Sequence, residues 1–412
     1  MKILYIFCIF VLCLTAELPA QIHGCRDPEA VNYNPLATKN DGSCLYNSAT
    51  VIPSTSIELP SVLAESSGLI YWNHNLLTHN DDTDPNLYII DTSTATISKT
   101  YTLSGVINKE WEEISQDDFY IYIGDFGNNS TGNRTDLHVL RIDKNSLLSG
   151  SPDIDTIFFS YSDQTSFTNP GADKTDFDCE AFIVTKDSIY LFTKQWVSGK
   201  TSVYSLPKSP GKYTAQLQIT VNVEGLITGA TYLESKNLIV LCGYSTLLQP
   251  FLYLLYDFTD NDFSKGNKRK ISLSLAFHQI EGIATLDGLK YYVTNEYFSR
   301  PPFVTSPQKL HSLDLSPYLQ KYLDTQATCI EENFPKSNGV LYPNPTNDEV
   351  NITTAASLLP ARYTIRNQLG QIIDSGVLRF EQSRISTREL TTGIYFLTIG
   401  VHQEYALTVM NN

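Results

Sequence analysis

The chain has 412 residues, long enough for more than one hydrophobic core. It carries 44 acidic against 29 basic residues, a net charge of −15, and no stripe of Lys and Arg able to neutralise a phosphate backbone, which excludes nucleic acid as a partner. With 42% hydrophobic residues, 25 Tyr and 19 Phe, the composition suits aromatic-rich β structure and excludes an extended disordered chain.

Residues 1–20 read as a secretory signal peptide: Lys2, an apolar run from Ile3 to Leu14, then small residues ending at Ala20. The run is too short to span a bilayer, and no later apolar segment approaches ~18 residues, so no transmembrane segment is expected in the mature chain. Residues 21–48 form a small Asp/Asn-rich module in which Cys25 and Cys44 are expected to pair, as oxidation is allowed in an exported chain. Asp27, Asn32, Asn34 and Asp41 offer the oxygen donors calcium prefers, and the module is similar to thrombospondin type 3-like calcium repeats. The same residue types are turn formers, and that reading takes precedence. Cys179 and Cys242 fall within strands and read as small buried hydrophobes, whereas Cys329 has no assignment.

Residues 49–322 contain five copies of one pattern, a small or acidic lead residue followed by a short apolar run, a tight turn and a second apolar strand with a polar end. The lead residues are Ser67, Glu112, Glu180, Thr228 and Glu281, spaced 45, 68, 48 and 53 residues apart. Repeats of this length built from short strands predict a β-propeller of five blades, with six as the alternative. The fifth repeat lacks an outer strand and an extra strand at Ala49 to Leu59 precedes the first, so that segment is expected to complete the last blade and close the ring. Residues 323–338 read as a linker, and 339–412 as a C-terminal Ig-like β-sandwich of about seven strands by their alternation and Gly-bearing turns.

Because each inner strand of a propeller begins beside the central axis, the five lead residues are expected to converge there. The strand ends Asp81, Asp125, Lys194 and Asn295, with Arg134 from a loop, fall just outside as candidate substrate contacts. Carboxylates ~6 Å apart repel by about 3 kcal/mol per pair at an effective dielectric near 20, so Glu112, Glu180 and Glu281 need a cation or raised pKa values. Oxygen donors without a His or Cys cluster point to calcium rather than zinc. The alternative is that these Glu cap turns or bind channel water.

Two resemblances add to this reading. The order Ser, Glu, Glu, small hydroxyl, Glu at the inner strands resembles the calcium-activated nucleotidase (apyrase) family of five-bladed propellers. It implies an axial calcium on Ser67, Glu112, Glu180, Thr228 and Glu281, phosphoester hydrolysis with Glu112 or Glu281 as base, and phosphate contacts from Arg134, Lys194, Lys200 or Arg300. The propeller also resembles SdiA-regulated-like and phytase-like secreted propellers. The rival is a noncatalytic module with structural calcium that binds a glycan or protein through Trp196, Tyr244, Tyr297 and Phe298; a lactonase or esterase is a third. The motifs Leu341-Tyr342-Pro343-Asn344-Pro345, Tyr363-Thr364-Ile365 and Leu390-Thr391-Thr392-Gly393-Ile394-Tyr395 resemble the type A C-terminal sorting domain of the type IX secretion system. This implies export across an outer membrane to the medium or cell surface, with the type IX machinery as partner, although the tail Thr408 to Asn412 lacks the basic residues such domains often carry.

Overall fold

A computed structural model describes residues 21–81, 83–333, 341–354, 359–367, 371–400 and 403–410, so the expected leader lies outside it. The chain divides into two compact units, Met1–Asp324 and Thr325–Asn412.

The first unit is a five-bladed propeller. The inner strands are Ser66–Trp72, Trp111–Gln116, Asp178–Val184, Leu226–Leu233 and Ile280–Thr285, each starting an antiparallel meander with the next strands of its blade. Ring closure is visible in the core. Five clusters of buried apolar side chains each lie between two neighbouring blades, including Ile70, Leu77, Ile114 and Ile123 between blades 1 and 2, and Leu69, Ile90, Ala284 and Leu310 between blades 5 and 1. A propeller is the solution available to such blades, because every sheet is apolar on both faces and must be covered on both.

The closing strand comes from the N-terminus, and it is shorter than expected. Thr55–Glu58 pairs with the third strand of blade 5, Lys309–Asp314, and completes that blade. Thr50–Val51 instead extends blade 4, in parallel with Asn267–Leu273. Between them stands Pro53, which has no N–H to give a continuous ladder. A second departure lies at the outer edge, where Ile154–Tyr161 of blade 2 runs parallel to Gly211–Val221 of blade 3 and joins the two blades into one sheet.

Cys25 and Cys44 form the expected disulfide, and their module rests on blade 4. Asp27 accepts hydrogen bonds from the hydroxyls of Tyr46 at 2.8 Å and Tyr256 at 2.5 Å, and the Asn40 amide donates to Asp257 and Asn267. The module's other candidate oxygens serve its turns: Asn32 accepts from the Leu45 amide, Asn34 from Leu36 and Asp41 from Ser43. This is the turn-forming behaviour of Asx residues. Cys179 and Cys242 are buried free thiols in the core.

The segment expected as linker opens as helix. Ser316–Asn333 is helical, and Leu319, Tyr322 and Leu323 pack it under blades 4 and 5. The Ser316-Pro317 start is a favoured helix entry, since proline lacks only an N–H that the first turn leaves unbonded. The Cys329 side chain lies outside the described residues.

Among its described residues the second unit is a sandwich of seven strands in two sheets. Leu341–Tyr342, Glu349–Thr353 and Gln382–Ser386 form one, and Ile372–Leu378, Ala361–Arg366, Gly393–Ile399 and Gln403–Val409 the other. Val350, Ile352, Ile365, Leu397, Ile399 and Leu407 fill its interior.

Candidate functional site

Each inner strand carries a β-bulge at its lead residue. Ser67 with Gly68, Glu112, Glu180, Thr228, and Glu281 with Gly282 are the extra residues where the register with the second strand slips. A bulge re-aims the side chain it carries, so five equivalent bulges turn the start of every inner strand toward one place.

The residue after each lead explains how closely the strands approach. A Cβ on Gly68 would lie 2.3 Å from the Ile114 nitrogen, on Gly229 2.0 Å from the Glu281 carbonyl oxygen, and on Gly282 2.5 Å from that of Ser67. Glycine at these positions lets adjacent inner strands touch backbone to backbone. Blade 3 has Ala181 here, and blade 2 has Glu113. The Glu113 side chain is fully buried, accepting hydrogen bonds from the Ile114 amide at 2.9 Å and the Ala230 amide at 2.6 Å. Blades 2 and 4 are not neighbours, so the Ala230 bond crosses the axis. Glu113 therefore closes the channel below the site. Burial pushes its carboxyl well up, and backbone amides of Ala230, Ile114 and Leu69 oppose the shift.

Above this plug lies a cavity of about 240 Å³. Its walls carry six carboxylates, Asp81, Glu112, Asp173, Glu180, Glu281 and Glu296, and one cation, Lys194. The Lys194 ammonium is buried, 3.3 Å from Glu180 Oε1, and lies over the rings of Trp196 at 4.8 Å and Tyr244 at 5.3 Å. Its pKa rises well above the lysine value because Glu180, Tyr244 and Glu281 outweigh the burial that opposes the charge. Burial drives Glu112 well up, and Glu180 and Asp178 add to it. Glu180 is raised by burial against the opposing pull of Lys194. Glu281 is raised to about 7 by burial, again against Lys194, and its buried Oε2 has no hydrogen-bond partner. One ammonium cannot neutralise so many carboxylates.

Of the expected site residues, Glu112, Glu180, Glu281, Asp81 and Lys194 meet in this cavity. Ser67 and Thr228 do not line it. Their hydroxyls donate at 2.5 Å to the carbonyl oxygens of Glu112 and Ile280, each on the next inner strand, so they staple neighbouring blades together. Asp125 and Arg134 form a buried ion pair at 2.7 Å outside the cavity, and Arg134 also bonds Asp136 and the Gly127 carbonyl. The Asn295 amide donates to the carbonyls of Glu296 and Pro307, and its oxygen pairs with His311 Nε2. Neither Lys200 nor Arg300 lines the cavity. Glu113, Asp173 and Asp178 are not second-strand ends, and Glu296 stands in the polar end Asn295-Glu296, of which Asn295 is the expected contact. For Glu113 the signal was present, as a single large acidic residue at a position otherwise Gly or Ala.

The lining carries the donor type a hard cation takes, although among the described residues Glu112, Glu180 and Glu281 are not in the group of carboxylates whose oxygens lie within 4.8 Å of one another. All acidic donors are oxygens, they outnumber the local positive charge, and one buried oxygen lacks any partner. Trp196 Nε1 donates to Asp178 Oδ2 at 2.7 Å, while the Asn128 amide donates to Asp178 Oδ1, so Asp178 fixes the Trp196 ring that lies against Lys194.

Residues 340–409 match the secretion system C-terminal sorting domain family. The C-terminal unit is a secretion sorting domain. It implies export to the cell surface or medium and interaction with the type IX secretion machinery. No curated protein sequence matches the chain. Among solved structures, the chain is similar to a PQQ-bound aldose sugar dehydrogenase from Streptomyces coelicolor, at 11% identity and a TM-score of 0.38, covering 63% of this chain and 98% of that one. It is also similar to PorZ, a surface component of the type IX secretion system of Porphyromonas gingivalis, at 13% identity and a TM-score of 0.30, covering 84% of this chain and 45% of that one. A third is the RRP9 WD40 repeats, at 8% identity and a TM-score of 0.34, covering 63% and 98%. Among the described residues no helix is long and apolar enough to cross a membrane.

Proposed function

We infer that the chain is an exported propeller whose axial cavity holds a hard divalent cation, calcium by its donor set, and through it a small anionic ligand. The observation that supports this is the imbalance of acidic and basic side chains lining the cavity, six carboxyl groups against Lys194, with Glu281 Oε2 unpartnered. Glu112, Glu180 and Glu281 would hold the ion, with Asp81 and Glu296 in the same cavity. Ser67 and Thr228 act on this reading through the strands they staple. A cleaved leader over residues 1–20 would feed the chain to the type IX machinery.

A bound cation would polarise a ligand oxygen, phosphoester oxygens included. In a hydrolytic version Glu112 or Glu281 takes the proton of the attacking water, and Lys194 is the side chain able to meet a phosphoryl oxygen. That Lys194 is the sole cationic side chain among the lining residues favours the second reading, a binding module for a glycan or protein without catalysis. Calorimetric titration of calcium into the metal-free mature chain tests the ion. Saturable binding lost in Glu180→Gln supports the reading, and no heat at millimolar calcium contradicts it. Phosphate release from nucleotides and phytate, with and without chelator, then separates hydrolysis from binding.

A further inference from the structure

Among the described residues, three acidic side chains bring their oxygens close together, and two of them line the cavity. Glu65, Asp81 and Glu296 each place a carboxylate oxygen so that the three lie within 4.8 Å of one another. Two ligands on opposite sides of one calcium stand ~5 Å apart at most, because each bond is about 2.3–2.6 Å long, and the three oxygens meet the pairwise spacing that a shared ion requires.

The backbone builds this cluster. Glu65 leads into the inner strand of blade 1, Asp81 follows the second strand of the same blade, and Glu296 follows the second strand of blade 5. The Asp81 amide donates to the Glu65 carbonyl at 3.1 Å, the Tyr297 amide to the Ala64 carbonyl at 2.7 Å, and the Glu296 amide to Gln279 at 3.1 Å. Three segments are thus pinned where the ring closes.

Two further observations point to an ion. Glu281 lines the same cavity as Asp81 and Glu296, is only 3% exposed, and carries the unpartnered Oε2. With all six lining carboxylates ionised, a single divalent ion on the axis together with Lys194 would leave them in excess by three charges, and the exposed Glu65 adds another. Like charges confined in so small a space repel strongly.

We propose that Glu65, Asp81 and Glu296 form a second hard-cation site, in the cavity that Glu281 also lines. The inference builds on the axial reading, and it gives the anionic ligand a place. On the same count a second divalent ion lowers the excess from four charges to two, which lessens the repulsion an oxyanion would meet in the cavity.

Equilibrium dialysis and calorimetry of calcium alone against the full mature chain separate the two sites. Wild type binds two ions, Glu65→Gln and Glu296→Gln each lose one or weaken it at least tenfold, and Glu180→Gln loses the other. A stoichiometry that neither Glu65→Gln nor Glu296→Gln changes overturns the second site, and if it falls in Glu180→Gln the axial reading still stands. One ion lost in Glu65→Gln and retained in Glu180→Gln supports the second site and sinks the axial one.

Discussion

Removing the channel plug should unfold the propeller more readily than its single side chain suggests. Glu113→Ala strands the amides of Ile114 and Ala230, which now donate to the carboxylate at 2.9 and 2.6 Å inside a fully buried channel. Each buried N–H left without an acceptor costs about 1–3 kcal/mol, so the pair should lower stability by about 4 kcal/mol. Glu113→Gln keeps the shape and one acceptor oxygen but turns an NH₂ toward a backbone amide, and should cost about half as much. The protein's three tryptophans, Trp72, Trp111 and Trp196, all belong to the propeller, so their fluorescence in urea follows that unit without signal from the sorting domain. With a slope near 3 kcal/mol per molar urea, the Ala variant should shift the midpoint down by about 1 M. A shift below about 0.2 M would mean that water or another group already serves those amides, and the axial plug would be wrong.

Calcium should raise the melting temperature of the metal-free chain and a chelator should reverse it. At free calcium 100 times the dissociation constant the gain is about 2.7 kcal/mol, and identical melting with and without calcium would argue against a folded-state site. Ser67→Ala and Thr228→Val should each cost about 1 kcal/mol by removing a staple between blades while leaving calcium affinity within twofold; a tenfold weakening would restore them as ligands. His311 bonds Ser56 of the closing strand and Asn295 of blade 5, and burial holds its pKa down to about 3. A folded value below the ordinary 6.5 means its contribution is present above pH 6.5 and is lost as pH falls toward 3, by up to about 1.4 kcal/mol per unit. His311→Gln should therefore be less stable at pH 7 yet show a shallower decline between pH 6.5 and 4, and an unchanged slope would refute the assignment.

The architecture was legible because a propeller repeats. Five lead residues at similar spacing located five inner strands, and a missing outer strand in one repeat matched a surplus one at the N-terminus. What the spacing could not reveal was the bulge at each lead, and hence which way each side chain turns. Ser67 and Thr228 have short side chains that reach the neighbouring carbonyls, whereas the longer Glu112, Glu180 and Glu281 reach the cavity. Second-strand ends looked alike as polar residues, but Asp125 and Asn295 brace loops while Asp81 and Lys194 face the cavity. That difference is set by partners such as Arg134 and His311, which are distant in sequence or equally common on surfaces. Asp173 and Glu65 sit in connecting segments without a strand pattern, so no periodicity could single them out.

A crystal structure of the mature chain grown in calcium tests the central claim most directly, by anomalous difference density. Density on the propeller axis within bonding distance of Glu112, Glu180 and Glu281 is the predicted result. Calcium bound elsewhere, with Lys194 alone still compensating those three carboxylates, would contradict it.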